Sequence, residues 1–186
     1  MKKIMFNDKY GLTQAVLEGR KTQTRRTFLK PGEETLLHGT TPEYLIAVKS
    51  RYKVGETVAI AQSYKDIHAE VLREVGPWDL KKEFQQSKGY ANKMFVKAEK
   101  MPHAIRITNI RVERLQDISD EDCMKEGIWR DDNVGLEGTT YWYHGLSNSS
   151  YRSPQKAYAS LIDSISGKGT WASNPYVFVY EFELIN

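Results

Sequence analysis

The stretch AIRITNIRVERL, residues 104–115, decides the fold because β-branched and polar side chains alternate along it. Side chains alternate between the two faces of a strand, so this pattern predicts a strand with one buried face. The run YVFVYEFELI, residues 176–185, predicts a second strand of the same kind. A shorter run, VAIAQ at residues 58–62, follows a turn at Val54-Gly55 and predicts a third strand.

Helices are predicted between these strands from apolar spacing and from cap or breaker residues: residues 12–17 ending at Gly19, a short segment between Ser119 and Gly127, and residues 154–165. Residues 22–29 favour a strand, and residues 43–48 fit either a strand or a short helix. The stretches 66–100 and 129–154 are rich in breakers and are interpreted as insertions. Short strands with helices between them, outside strict strand–helix order, predict an α+β fold, a small mixed β-barrel with peripheral helices.

Composition excludes several classes of protein. The 186 residues fit one domain spanning 1–186, with 40% hydrophobic and 27% charged side chains. The longest apolar runs fall well short of the roughly 20 residues of a membrane span, so no membrane partner is expected. A signal peptide is not evident, so the expected location is cytoplasmic. One cysteine and four histidines without ligand spacing predict no disulfide, no metal site and no cofactor.

Charge is unevenly distributed along a chain whose net charge is only +3. Residues 1–30 carry eight basic and two acidic side chains, whereas residues 111–140 carry four basic and nine acidic ones. Either these two regions face each other in the fold, or the basic region faces an anionic ligand.

The segment EGRKTQTRR, residues 18–26, concentrates the basic charge around two threonines just after the expected helix end. Three interpretations are open. The segment is a solvated helix exit with an exposed basic strand, a contact to nucleic-acid phosphates, or the site of a reaction.

The same segment resembles the signature of the ASCH domain, a glycine, lysine, threonine and arginine that correspond here to Gly19, Lys21, Thr24 and Arg26. ASCH domains are relatives of the PUA domains, which are β-barrels associated with RNA. A small bacterial branch hydrolyses N4-acetylcytidine with a lysine, a threonine and a glutamate. The resemblance therefore implies a PUA-like barrel and a site directed at RNA or at a modified nucleoside.

The resemblance extends beyond this signature. The segment LQDISDEDCMKEGI, residues 115–128, is similar to the helix that carries the glutamate of the small hydrolases, which places Glu126 at that position. The segments YKVGETVAI, RITNIRVERLQDIS and ISGKGTWASNPYVFVYEFE resemble longer ASCH proteins of phages and prophages, in the same order and over about half of the chain. One departure is Gln62, which stands where those relatives have a glutamate.

The resemblance implies Lys21, Thr24 and Glu126 as catalytic residues. Residues three apart on a strand point to opposite faces, so Lys21 and Thr24 can converge only if Lys21 still belongs to the helix exit. The residues expected to bind substrate or RNA are Arg20, Thr22, Arg25, Arg26, Gln62 and Trp171. Neighbouring arginines would lower the pKa of Lys21 and a close Glu126 would raise it.

Three functions are consistent with the sequence. The first is an amidohydrolase acting on N4-acetylcytidine or a similar N-acylated base, with Thr24 as nucleophile, Lys21 as its activator and Glu126 as proton carrier. The second is a non-catalytic module that binds single-stranded RNA or a modified nucleotide. The third is a phage accessory protein that binds a host protein. The sequence does not indicate an oligomeric state.

Overall fold

The computed structural model describes residues 1–28, 39–67, 85–132, 138–145 and 150–185. The described strands are β1 (Lys2–Ile4), β2 (Gln23–Thr27), β3 (Thr57–Ile60), β4 (Ala104–Arg114), β5 (Trp129–Asp131), β6 (Thr140–Trp142) and β7 (Tyr176–Ile185). The described α-helices are α1 (Leu12–Leu17), α2 (Pro42–Lys49), α3 (Asp120–Lys125), α4 (Pro154–Ser166) and α5 (Thr170–Ser173). Within these ranges, no helix is long and apolar enough to cross a membrane.

The main sheet has five strands in the order β1-β3-β4-β7-β2. Strand β1 runs parallel to β3, and the other neighbours are antiparallel. The longest pairing joins β4 to β7, with a register shift between Ile107 and Asn109. This confirms the two strands predicted from alternation, and the fold is a mixed α+β fold. In the part of the chain that the structure describes, β1 and β2 are the sheet edges and no ladder joins them, so a closed barrel is not seen.

The core buries one face of the first half of β4 and both faces of the middle of β7. On β4, Ile105 and Ile107 are fully buried while Arg106 and Thr108 are exposed, as the alternation predicts. On β7, residues 177–180 are all buried, so the prediction of a single buried face is wrong there. Helices α1 and α4 contribute Val16 and Leu161 to the same hydrophobic cluster. Burying such branched side chains stabilises the fold by about 1.5–3 kcal/mol each.

The predicted caps are present at the helices that frame the site. The Ser119 hydroxyl accepts a hydrogen bond from the backbone N–H of Asp122, so α3 begins where the capping pattern indicates. Gly19 has φ of 72°, and this left-handed conformation turns the chain from α1 toward β2. Helix α4 also begins at its predicted residue, with Ser153 as its cap.

The structure decides one open sequence expectation and changes another. Residues 43–48, which fit a strand or a helix, lie in helix α2. The stretch 129–154 is not wholly irregular, because β5 and β6 form an antiparallel ladder in which Trp129 is opposite Trp142. Parts of both predicted insertions lie outside the described residues, as do residues 29–38 and the end of the strand predicted over 22–29.

Candidate active site

A cavity of about 710 Å³ lies between strand β2, the end of α3, helix α4 and the chain that precedes α1. Lys21, Thr24 and Glu126, the three residues for which the resemblance implies catalysis, all line it. The rest of the wall is mixed: Phe6 and Leu161 are apolar, whereas other lining residues carry charge. The volume falls within the range typical of small-molecule sites.

A buried ion pair forms part of this cavity. The Lys21 Nζ lies 2.5 Å from Glu126 Oε2 and also donates to the backbone carbonyl of Glu126 over 2.9 Å. Lys21 is 2% exposed and Glu126 is 4% exposed. Burial lowers the pKa of Lys21 because it disfavours the charged amine, and the opposing attraction of Glu126 does not cancel this effect. Lys21 therefore loses its proton at a lower pH than a lysine in water does.

Local backbone geometry brings these two residues together. The Lys21 N–H donates to the carbonyl of Ala15, so Lys21 belongs to the exit of α1 and not to β2. The next residue, Thr22, donates its N–H to the carbonyl of Lys125, which ties the exit directly to the end of α3. This confirms the prediction that Lys21 escapes strand alternation, and it explains why its side chain meets Glu126.

Gly127 follows Glu126 and packs against Leu12 beside the Lys21–Glu126 pair. Its φ is 102°, and an added Cβ would lie 3.3 Å from Leu12 Cδ2 and 3.8 Å from Lys21 Cδ. A larger residue at this position would be strained and would press on Leu12. The glycine that ends α3 therefore makes room for Leu12 beside the site.

Thr24 lies on β2, opposite Tyr180 of β7, and is 5% exposed. Its hydroxyl makes no hydrogen bond to the described residues, although the residue lines the cavity. A hydroxyl beside the cavity without such a partner is available to a ligand. Thr24 is thus the lining residue best suited to act as an oxygen nucleophile.

Arg25 has a different environment from the one the sequence indicates. Its side chain is 0% exposed and pairs with Glu113 at 2.7 Å, Asp122 at 2.9 Å and Glu126 at 3.1 Å. Burial opposes protonation of this guanidinium, but the carboxylates outweigh it and raise the pKa of Arg25. The predicted role as an exposed contact to RNA phosphate is therefore corrected: Arg25 is bonded to protein carboxylates and holds Glu126 from the side opposite Lys21.

Arg26 is exposed and lies at the rim of the cavity. Its Nη2 donates to the Met5 carbonyl over 2.6 Å, which fixes the guanidinium near the N-terminal segment. Lys93 also lies at the cavity wall, but Asp8 pairs with it at 2.7 Å. Arg26 is therefore a rim cation without a carboxylate partner in the part of the chain that the structure describes.

Four predicted binding residues do not line the cavity. Arg20 pairs with Glu18 and stacks at 3.8 Å over Trp129, which itself stacks on Trp142. The backbone of Thr22 joins the end of α3 to β7, and Thr22 does not line the cavity, whereas Thr24 and Arg26 do.

Gln62 and Trp171 are the other two predicted binding residues that do not line the cavity. Gln62 is 9% exposed, its backbone N–H donates to Met101 Sδ, and its buried Oε1 has no hydrogen-bond partner among the described residues. Trp171 packs edge-to-face on Tyr158 at 6.2 Å, and its backbone N–H donates to Asp163. Trp171 therefore packs against Tyr158, which lines the cavity, without lining the cavity itself.

Tyr158 is a candidate site residue that sequence reasoning missed. It lines the cavity from α4, and its hydroxyl makes no hydrogen bond to the described residues. Burial, and then the charge of Glu126, raise the pKa of Tyr158 well above 10.0, so the hydroxyl stays protonated and can donate. The helical spacing of residues 154–165 indicated only a core position, and nothing in that pattern distinguishes a buried ring from a ring whose hydroxyl faces a ligand.

The described residues contain no group of histidine, cysteine and carboxylate side chains that could hold a metal ion. Comparisons of the chain with models of protein families, with curated proteins and with solved structures return no match. The ASCH assignment therefore stays a prediction from the motifs of the chain.

Proposed function

We propose that this protein is an ASCH-type amidohydrolase that removes an acyl group from the exocyclic nitrogen of a nucleobase, as in N4-acetylcytidine. One observation carries the proposal: the buried Lys21–Glu126 pair, with 2.5 Å between Nζ and Oε2, lines the same cavity as the Thr24 hydroxyl. An amine, a carboxylate and a hydroxyl in one small cavity supply a base, a proton carrier and a nucleophile.

In the first half-reaction the Thr24 oxygen attacks the acyl carbon while its proton passes to the neutral amine of Lys21. The bond between the acyl carbon and the exocyclic nitrogen then breaks. Lys21 and Glu126 share the proton along their hydrogen bond, and it passes from this pair to the departing nitrogen. The base leaves with a free amino group, and the acyl group remains as an ester on Thr24.

In the second half-reaction water attacks the ester, and Glu126 and Lys21 take up the proton of that water. The bond between the acyl carbon and the Thr24 oxygen breaks, the hydroxyl regains a proton, and the carboxylic acid leaves. In both steps negative charge develops on the acyl oxygen. The Tyr158 hydroxyl is the protonated donor in the cavity that is suited to stabilise this charge.

The placement of the motif residues in the fold is consistent with the proposed family. Gly19 ends α1, Lys21 follows in the exit, and Thr24 and Arg26 lie on β2. Glu126 is the C-cap residue directly after α3, close to the helix in which the resemblance places the glutamate. A mixed sheet with these two segments joined at its edge fits a PUA-like barrel whose seam lies between β1 and β2, the two edge strands.

The direct test is to incubate the purified protein with N4-acetylcytidine and to follow the release of cytidine. Thr24→Ala is expected to lower kcat at least about 100-fold, and Thr24→Ser, which keeps a hydroxyl, is expected to retain part of the activity. Thr57→Ala is the matched control, since Thr57 is an exposed strand residue outside the cavity. Urea unfolding of each variant separates a loss of chemistry from a loss of folding.

Turnover that survives Thr24→Ala would contradict the proposed nucleophile.

A second candidate function is a non-catalytic module that binds RNA or a modified nucleoside. One observation favours it: Lys21 Nζ donates two hydrogen bonds to Glu126, and these engage the amine that a hydrolase would use as its base. In that case no nucleoside is hydrolysed, but RNA binds in a salt-sensitive manner. If the protein neither hydrolyses the nucleoside nor binds RNA, the result would support the third function, an accessory protein that binds another protein.

A further inference from the structure

A second concavity adjoins the cavity on the other side of Arg26. It has a volume of about 380 Å³ and lies between the edge strands β1 and β2 and the segment that follows α2. Met5, Arg26 and Thr27 line both spaces, so the two are neighbours with a shared wall. We call this second space the basic groove; the residues used below are Arg26, Phe28, Lys49, Arg51 and Tyr52.

The basic groove carries positive charge that no acidic side chain among its described lining residues neutralises. Arg26, Lys49 and Arg51 line it and are exposed, and none of the described residues that line it is acidic. Lys49 and Arg51 form no ion pair and donate no side-chain hydrogen bond to the described residues, although Arg51 lies 5.6 Å from the ring centre of Tyr52. Like charges gathered in a concave surface repel one another, and an anionic ligand relieves that repulsion.

The backbone that carries these cations is held in place. The Tyr180 hydroxyl hydrogen-bonds to Ser50 Oγ at 3.1 Å and accepts from the N–H of Arg51. The Tyr52 hydroxyl donates to the carbonyl of Lys3, which joins the same segment to β1. The cations therefore project from a positioned segment, which lowers the entropic cost of binding a ligand.

Aromatic rings form the remaining wall. Phe28 is partly buried and stacks on Phe178 with 4.0 Å between ring centres, and Tyr52 packs edge-on against Tyr180. When the acylated base occupies the cavity, the neighbouring base of an oligonucleotide can stack on the partly exposed ring of Phe28 while arginine and lysine hold the phosphate between the two nucleosides. Cations and rings together fit a nucleotide better than they fit an isolated inorganic anion.

From this arrangement we infer that the basic groove binds the phosphate of a nucleotide whose acylated base enters the cavity, with Arg26 between the two spaces. The inference rests on the proposed function, because it concerns what the acylated nucleoside is attached to. The preferred substrate is then a phosphorylated form, as a mononucleotide or within an oligonucleotide. The free nucleoside fills the cavity alone and leaves the groove empty.

The experiment compares kcat/KM for N4-acetylcytidine, for its 5′- and 3′-monophosphates, and for dinucleotides that contain it at either position. At least one phosphorylated form is expected to be preferred about tenfold or more, since hydrogen bonds to charged groups are strong. The double variant Lys49→Ala/Arg51→Ala is expected to remove most of that preference, whereas Lys53→Ala, a nearby exposed lysine outside the groove, is expected to keep it. Preference for a monophosphate or for a dinucleotide distinguishes the two sources of the phosphate.

Equal kcat/KM for nucleoside and phosphorylated forms would overturn the inference and leave the proposed hydrolysis intact. If no substrate is hydrolysed, binding of a fluorescent cytidine-containing dinucleotide decides the matter. Binding that the double variant weakens about tenfold, and that Lys53→Ala does not, would support the groove without the hydrolase. Binding that is indifferent to both variants would overturn the inference as well.

Discussion

The cavity and the basic groove are neighbours and are both lined by cations, but the protein treats the charges of the two spaces differently. In the cavity, Lys21 is buried and bonded to Glu126, and Arg25 is enclosed by carboxylates. In the groove, Lys49 and Arg51 are exposed, with no ion pair among the described residues. A buried charge requires a partner inside the protein, whereas an exposed charge is solvated and can bind an anion from solution. The ion pairs of the cavity fix the positions of its side chains, and the exposed cations of the groove are available to a ligand.

The largest effect expected from this contrast is on stability, at two adjacent arginines. Arg25→Met leaves the carboxylates of Glu113, Asp122 and Glu126 near one another without their shared cation, which is expected to cost about 3–5 kcal/mol. Arg26→Met removes an exposed cation and is expected to cost less than about 1 kcal/mol. Urea unfolding followed by tryptophan fluorescence measures both, and equal losses would contradict the contrast.

A change at Tyr158 is expected to affect catalysis more than folding. Tyr158→Phe keeps the ring but removes the proposed donor to the acyl oxygen, so kcat for N4-acetylcytidine should fall about 100-fold. Its unfolding free energy should change little, because the hydroxyl bonds to none of the described residues.

Tyr143→Phe is the matched control for Tyr158→Phe. The Tyr143 hydroxyl lies 3.0 Å from Ser160 Oγ and outside the cavity, so its removal should cost about 1 kcal/mol of stability and leave kcat unchanged. A reversed pattern in the two variants would argue against the role given to Tyr158.

The lowered pKa of Lys21 predicts a dependence on pH. Between that pKa and the ordinary value of 10.5, the unfolded chain binds more protons at this lysine than the folded chain does. The contribution of Lys21 to stability should therefore rise with pH in this window, by at most about 1.4 kcal/mol per pH unit.

The kcat/KM of the proposed hydrolysis should rise as the pH passes through the lowered pKa of Lys21 and level off above it, because the neutral amine is the proposed base. Unfolding and rate measurements from pH 7 to 10 test both effects, with Lys21→Met as the reference for stability. A rate that falls throughout this range would exclude the amine as base.

The smallest effect is expected at Gln62, where the ASCH proteins that the chain resembles have a glutamate. The buried Oε1 of Gln62 has no hydrogen-bond partner among the described residues, so Gln62→Leu should change stability by less than about 1 kcal/mol. Because Gln62 does not line the cavity, kcat/KM should stay within about twofold of the parent. A large loss of activity would indicate that this position contacts substrate after all.

Local patterns in the sequence predicted the framework well. Alternation identified β4 and β7, and the Ser119 capping pattern identified α3. The argument from Gly19 placed Lys21 in a helix exit because glycine marks a left-handed residue. These features are set by residues close in sequence, so the sequence contains their physical cause.

Burial by distant elements could not be predicted in the same way. Three successive residues of β2, Gln23 to Arg25, are buried because both faces of the strand are covered there, and the sequence of β2 alone does not show what covers it. The pairing of Trp129 with Trp142 likewise joins residues separated by a stretch without strand pattern. The uneven charge left open that residues 1–30 face residues 111–140, as Lys21 and Arg25 do, but only the resemblance named Lys21 and Glu126 as partners. No local pattern connects two residues that are 105 positions apart.

The second hydrogen bond of Lys21, to the main-chain carbonyl of residue 126, has a consequence for how this site can diversify. Main-chain atoms are common to every amino acid, so this anchor persists whichever side chain occupies position 126. A descendant that lost the carboxylate would still hold its lysine at the same spot, free to acquire another chemistry. The hydrogen bond to the carbonyl therefore fixes the position of the amine, whereas the side chain at position 126 influences its reactivity.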